Sequence, residues 1–343
     1  MTGTRVAVLG AGSWGTALAN VAARAGNVAT LIARDPELAR AIAQTRENGR
    51  YLPGIAVEPS VAATADAPPA IAAADIVLLV TPAQHLRASL EGLAGAVRPA
   101  TPLVIASKGI ERGTDALLST VVEEAVPHAV PAVLSGPSFA ADVARGLPTA
   151  VTLACRDRAE RERLATRLAL PAFRLYPTDD VVGAQVGGAV KNVLAIACGA
   201  CDGLALGDSA RAALTARGFT EMARLGAAMG AELDTLAGLS GLGDLVLTCG
   251  SRQSRNFSLG RELGEGRPLE EILAGRRSVS EGVPTAAAVV DLARRHQVAM
   301  PISEAVADVV SGRVTVRQAV GALLARPPRE EGVHGRAWGP AGG

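Results

Sequence analysis

A chain of 343 residues is long enough for two domains, each with a core of its own. A formal net charge of +1 gives no general attraction to nucleic acid, anionic membranes or acidic partners, and 2% aromatic residues are too few for a base-stacking surface. The longest strongly apolar run, IVLLV, is far short of a membrane span, no signal-peptide pattern precedes the first strand, and four cysteines make no disulfide framework in a chain this long, so a cytoplasmic protein without membrane insertion is expected. In chain order, RVAVLG reads as a buried strand, GAGSWG as a glycine turn, and the alanine-rich stretch behind it as a helix. NVATLIARD is a second strand, and ADIVLLVTP and PLVIASKG are two more, separated by helical segments at 84–97 and 115–126. AVLSGPSFAADVARG adds a strand, a turn and a helix, and PTAVTLAC a further strand.

Beyond residue 182 the texture changes. Alanine- and leucine-rich segments with helical spacing cover 184–201, 210–229, 256–265, 269–274, 285–296, 302–311 and 316–325, and period-two runs of β-branched residues are absent. The reading is a doubly wound, mostly parallel α/β domain over 1–183, an all-helical domain over 184–326, and a Gly/Pro-rich tail without structure over 327–343.

GAGSWG places Gly10, Gly12 and Gly15 in the G-x-G-x-x-G pattern, directly after a strand and at the start of a helix, the context of a Rossmann-type dinucleotide site. Gly10 allows the turn, Gly12 lets the main chain approach a pyrophosphate, and Gly15 allows the helix to pack closely on the strand. The end of the second strand selects the cofactor: an acidic residue there holds a ribose diol, an arginine a 2′-phosphate. Both are present, Arg34 and then Asp35. Arg34 is nearer the strand end, which favours NADPH with NADH as the alternative, while Asp35-Pro36 also suits a helix cap.

Of 34 Lys and Arg, only Lys108 and Lys191 are lysine. Arginine stays charged at any accessible pH, whereas a lysine can be tuned and can exchange a proton. Lys108 closes the strand PLVIAS, and in an open α/β sheet ligands bind beyond the carboxyl ends of the strands, where Gly136 and Ser138 of SGPSF also fall. Lys191 sits in the apolar helix AQVGGAVKNVLAIACGAC. On its side of the helix, by repeated three- and four-residue steps, lie Gly187, Gly188, Ala195 and Cys198, a shelf of small side chains over which a compact ligand, or a second backbone, can approach. Burial there would tune the lysine toward general acid/base work. Farther on, Asp244 falls in a glycine-rich bend, and Ser254, Arg255 and Asn256 precede a helix as a hydroxyl, a fork-shaped cation and an amide suited to a phosphate, or as an ordinary N-cap with a surface arginine. The C-x-x-C pair Cys198/Cys201 is embedded in a helix, and the four His form no ligand spacing, so no metal site is expected.

The ordered set GAGSWGTALA, YLPG, ASKGIE, SGPSFA, GGAVKNVLAI, GLGDLVLTC and SRN closely resembles the bacterial NAD(P)-dependent glycerol-3-phosphate dehydrogenases, enzymes that reduce dihydroxyacetone phosphate to sn-glycerol 3-phosphate for phospholipid synthesis. The resemblance implies Lys191 as catalytic proton donor and acceptor. It implies Lys108, Gly136, Ser138, Asp244, Ser254, Arg255 and Asn256 against the substrate, a triose phosphate. It implies Ser13, Trp14, Arg34, Lys108, Ala140, Arg255, Val279 and Glu281 against the nucleotide, with Tyr51 near the adenosine. Ser138 stands where many members carry Thr, keeping the hydroxyl. A homodimer is the expected assembly. The rival readings are a sibling two-domain dehydrogenase of the 6-phosphogluconate or hydroxyisobutyrate type, against which SRN after GLGDLVLTC argues, and a dinucleotide sensor without turnover.

Overall fold

The computed structural model describes residues 3–276 and 279–327. The tail expected to be structureless lies, from residue 328 on, outside the described residues. The described residues form two compact units, one within 3–111 and 116–185, the other within 112–115 and 186–327.

The first unit alternates strand and helix: β1 (Arg5–Leu9), α1 (Ser13–Arg24), β2 (Val28–Ile32), α2 (Pro36–Thr45), β3 (Ala62–Thr64), α3 (Ala67–Ala73), β4 (Ile76–Leu79), α4 (Leu86–Glu91), β5 (Pro102–Ile105), α5 (Leu118–Ala125), β6 (Val130–Ser135), α6 (Ala140–Ala144), β7 (Thr149–Ala154), α7 (Arg158–Leu168) and β8 (Phe173–Thr178). The eight strands form one sheet in the order β3-β2-β1-β4-β5-β6-β7-β8, parallel at every pairing except β6–β7. Successive strand residues point to opposite faces. Val6, Val8, Leu31, Leu78 and Val104 enter one core with α1 and α2, whereas Ala7, Leu9, Ile32, Leu79 and Ile105 enter another with α4 and α5. Burial on both faces is why the central strands read as unbroken apolar runs. The order of the strands reverses between β1 and β4, and that switch point is where such sheets bind ligands.

Two segments differ from the sequence reading for local reasons. The helix expected over 84–97 is broken into a 3₁₀ turn at Ala83–His85, α4, and a second 3₁₀ turn at Ala94–Ala96, with Gly92 ending α4. The helix expected from 115 begins at Leu118, because Asp115 takes a left-handed φ of 56° and Ile110 pairs with Leu117 in an isolated bridge.

The second unit is helical: α8 (Val181–Gly203), α9 (Asp208–Ala228), α10 (Leu233–Ala237), α11 (Asp244–Cys249), α12 (Arg255–Gly264), α13 (Leu269–Ala274), α14 (Gly282–Arg295), α15 (Pro301–Val310) and α16 (Val316–Leu324). The unit boundary falls inside α8, so its first residues count with the sheet. At 23 residues and a mean hydropathy of 1.5 over an 18-residue window, α8 has the length and composition of a membrane span, but 89% of that window is buried in the protein. A helix apolar all round is a core helix when protein surrounds it.

Backbone-to-backbone packing joins α8 to α12. A Cβ on Gly199 would lie 2.0 Å from the Phe257 carbonyl oxygen, and one on Gly203 2.1 Å from that of Arg261. Reciprocally, a Cβ on Gly260 would lie 2.0 Å from the Ile196 oxygen, and one on Gly264 2.4 Å from that of Ala200. Two glycines four residues apart on each helix face the same pair on the other, the spacing that lets helix backbones touch.

A buried carboxylate fastens α15. Glu221 on α9 is 2% exposed and accepts from the Ile302 and Ser303 N–H groups at 2.6 and 3.1 Å and from the Ser303 hydroxyl at 3.0 Å. Burial pushes this carboxyl up to about 7, against those three donors. The folded protein therefore binds the proton more tightly than the unfolded chain. The contribution to stability is complete below about pH 4.5 and is lost as pH rises through 7. In thermal unfolding between pH 5 and 8, the Glu221→Gln variant is expected to gain on the wild type as pH rises to about 7 and to level off above it, even though its amide fits the three donors poorly. A Tm difference independent of pH contradicts this assignment.

Candidate active site

In the first unit the glycine turn sits at the switch point. Gly10 has φ +117°, and a Cβ there would come within 3.0 Å of the Val80 carbonyl carbon beyond β4. A Cβ on Gly15 would lie 1.8 Å from the Gly10 oxygen, so only glycine lets α1 start this close to β1. A Cβ on Gly12 would meet nothing within 4 Å. That residue leaves open space beside the helix start, where Gly12 is the N-cap and no side chain caps the first-turn N–H groups. The Trp14 indole N–H is buried and has no partner among the described residues. Open clearance, uncapped donors and an unspent indole fit the pyrophosphate of a dinucleotide.

The loop after α2 braces this turn. Asn48, fully buried, donates to the Ala11 oxygen at 3.0 Å and to Thr16 Oγ1 at 2.8 Å, and the Ser13 hydroxyl donates to the Tyr51 oxygen at 2.5 Å. The sequence reading missed Asn48: a polar residue in a loop carries no signal until its burial is known. At the end of β2, Asp35 caps α2 through Glu37 N and pairs with Arg50 at 2.7 Å; the Arg50 side chain holds its carboxyl below the ordinary carboxylate range. Arg34 is exposed and makes no hydrogen bond or ion pair among the described residues.

Lys108, Gly136 and Ser138 converge. The Lys108 ammonium donates to the Gly136 carbonyl at 2.8 Å, and the Ser138 hydroxyl to the same oxygen at 3.0 Å. Gly136 has φ +147°, and a Cβ there would press on Val151 Cα at 2.9 Å. Ala140 opens α6 just beyond.

In the second unit the Lys191 ammonium donates to Asp244 Oδ1 and Thr248 Oγ1, both at 2.9 Å. Both charges are nearly dry, the Lys191 side chain being 10% exposed and that of Asp244 1%. A pair this deep fixes the position of a proton at Nζ while remaining costly to break. Asp244 is not in a bend. It is the first residue of α11, delivered by a π-helical turn at Leu239–Gly243, and such turns recur where a side chain has to be re-aimed. That turn also explains Gly187: a Cβ there would lie 2.5 Å from the Ser240 carbonyl oxygen. The glycine makes room for a second backbone rather than for a ligand.

Ser254, Arg255 and Asn256 divide their work. Ser254 is the N-cap of α12, its hydroxyl accepting from Phe257 N at 3.2 Å. Asn256 is 6% exposed; its amide donates to Asn192 Oδ1 at 2.9 Å and accepts from Gly282 N at 3.1 Å, tying α8 to α14. Of the three, Arg255 alone is exposed. Val279 is exposed, and Glu281 is the N-cap residue of α14. Thr248 and Asn192 were missed by the sequence reading. Read as a helix, GLGDLVLTC places Thr248 four residues beyond Asp244, on the same side.

Comparison with known proteins agrees with these motifs. Residues 5–161 match the model of the NAD-dependent glycerol-3-phosphate dehydrogenase N-terminus, and residues 180–321 that of its C-terminus. The chain is 58% identical over 327 residues to a glycerol-3-phosphate dehydrogenase [NAD(P)+] of Parvibaculum lavamentivorans, covering 95% of this chain and 98% of the relative. This chain belongs to the NAD-dependent glycerol-3-phosphate dehydrogenase family. A second relative, from Caulobacter vibrioides, is 54% identical over 96% of this chain and all of its own length. The crystal structure of glycerol-3-phosphate dehydrogenase from Coxiella burnetii superposes with a TM-score of 0.91 at 38% identity, covering 95% of this chain and 100% of that one. The chain is thus an NAD(P)-dependent oxidoreductase whose first unit carries the dinucleotide site.

Proposed function

We propose that this dehydrogenase reduces dihydroxyacetone phosphate to sn-glycerol 3-phosphate with NADPH or NADH, in the cytoplasm and as a homodimer, and so supplies the backbone of phospholipids. The observation that carries the reading is the buried Lys191–Asp244–Thr248 cluster in a member of this family. The reduced nicotinamide, when bound, supplies the hydride that adds to the substrate C2. As the carbonyl oxygen gains negative charge, the Lys191 ammonium stabilises it and then gives it a proton. Asp244 and Thr248 hold the ammonium in place. Arg255 binds the phosphate, with Ser254 and Asn256 shaping the start of α12 around it, and Lys108, Gly136 and Ser138 complete the substrate contacts. Binding energy spent on the phosphate, remote from the reacting carbon, orients the carbonyl for transfer. Gly10, Gly12, Ser13, Trp14, Gly15, Arg34 and Ala140 hold the dinucleotide, joined by Lys108, Arg255, Val279 and Glu281.

Steady-state oxidation of NADPH and NADH with dihydroxyacetone phosphate, run beside reduction of NADP+ and NAD+ with 6-phosphogluconate and hydroxyisobutyrate-type substrates, tests the reading, which predicts turnover of the triose phosphate alone. Turnover of a sibling substrate in its place overturns it. The free Arg34 and the occupied Asp35 support NADPH as the better cofactor. In Arg34→Ala the KM for NADPH is expected to rise about tenfold, the order of one lost charge-assisted contact, with the KM for NADH little changed. An unchanged cofactor ratio rejects Arg34 as the 2′-phosphate reader. Sedimentation of the purified chain tests the dimer.

A further inference from the structure

The motif ASKGIE ends in a carboxylate that none of the roles above uses. Glu111 is 9% exposed, and a carboxylate so deep persists only when paired. Its partner is Arg87 on α4. Arg87 Nε lies 2.9 Å from Oε1 and 3.2 Å from Oε2, and Nη2 lies 2.8 Å from Oε2, a fork-to-fork pair. The same Nη2 reaches Glu124 on α5 at 2.7 Å. One guanidinium thus pins the segment after β5 between the helix that precedes β5 and the helix that follows it.

Neighbouring bonds hold the same segment. Gln84 donates to the Ile110 oxygen at 2.8 Å, the Glu111 N–H to the Ala116 oxygen at 3.0 Å, and the Ser107 hydroxyl to the Thr81 oxygen. Lys108 stands between these anchors, one residue after Ser107 and three before Glu111. A lysine side chain has much rotamer freedom to lose, and ordering it is cheapest when its main chain is already fixed.

We propose that the Arg87–Glu111 pair is a positioning device for Lys108, holding its main chain so that the ammonium is presented to the substrate. A planar fork fixes direction and register, which apolar packing of the loop would not do. The inference rests on the reading of Lys108 as a substrate-binding cation, and the test separates the two. In Glu111→Gln, which keeps the shape and removes the charge, the KM for dihydroxyacetone phosphate is expected to rise about tenfold with kcat within about threefold, as for lost uniform binding. Arg87→Lys, which keeps the charge and loses the fork, moves KM in the same direction by less; it serves as the readout should Glu111→Gln fail to fold. In the double variant with Lys108→Ala, Glu111→Gln adds nothing to the effect of Lys108→Ala alone. A KM rise in Lys108→Ala with none in Glu111→Gln and Arg87→Lys overturns the positioning role and leaves the reading of Lys108 intact. Strictly additive effects also overturn it, as does a lowered Tm without any change in KM. No KM change in Lys108→Ala removes both readings together.

Discussion

Lys191→Ala is expected to lower kcat by at least about 100-fold, the scale of general acid/base catalysis by a positioned side chain, while NADPH binding followed by fluorescence titration persists. Binding persists because the glycine turn of the first unit is built from other residues, whereas the proton donor is gone. The variant also leaves the Asp244 carboxylate, 1% exposed, without its cation. Removing one partner of a buried pair costs about 3–5 kcal/mol, so Tm falls as well. Lys191→Arg separates charge from proton transfer. Arginine restores a cation beside Asp244 but holds its proton at every accessible pH, so stability recovers and kcat does not. Near-normal kcat in either variant refutes the assignment of Lys191 as proton donor.

The second large effect concerns the seam that sets α8 against α12. Gly260→Ala places a methyl group 2.0 Å from the Ile196 carbonyl oxygen, a main-chain atom that cannot swing aside. Overpacking of this kind costs about 1–3 kcal/mol or more, which for a domain of this size corresponds to a Tm loss of about 5–10 °C. Because α8 carries Lys191 and α12 begins at Arg255, the helices separate at the expense of the site, and kcat/KM falls with Tm. Gly321→Ala is the control: that glycine lies exposed in α16 with nothing within 4 Å of a Cβ, so the alanine is expected to be neutral or slightly stabilising through helix propensity. Equal Tm for Gly260→Ala and wild type would mean that the helices slide apart without cost.

Much of the fold was legible because its signals are local. Strands of a sheet covered on both faces are continuous apolar runs, and β1, β4 and β5 announce themselves that way. The two strands that escaped notice, β3 and β8, are the sheet edges. β3 has three residues, and β8 is half exposed and contains Pro177, so neither looks like a buried strand. The antiparallel pairing of β6 with β7 depends on how the chain returns, which residue types do not state.

The site divides in the same way. Residue chemistry and spacing alone marked the glycine turn, the two rare lysines and the order of the motifs, because turn geometry, titratability and helix starts are properties of short segments. The tertiary structure gives Lys191 its contact with Asp244, 53 residues away in sequence, and alone adds Thr248, 57 residues away. It also assigned Gly187 to the Ser240 main chain, and gave the Asn256 amide to α8 and α14 rather than leaving it free. Those facts rest on the distance of approach between backbones far apart in sequence. That distance is a property of packing, which no short stretch of the chain contains by itself.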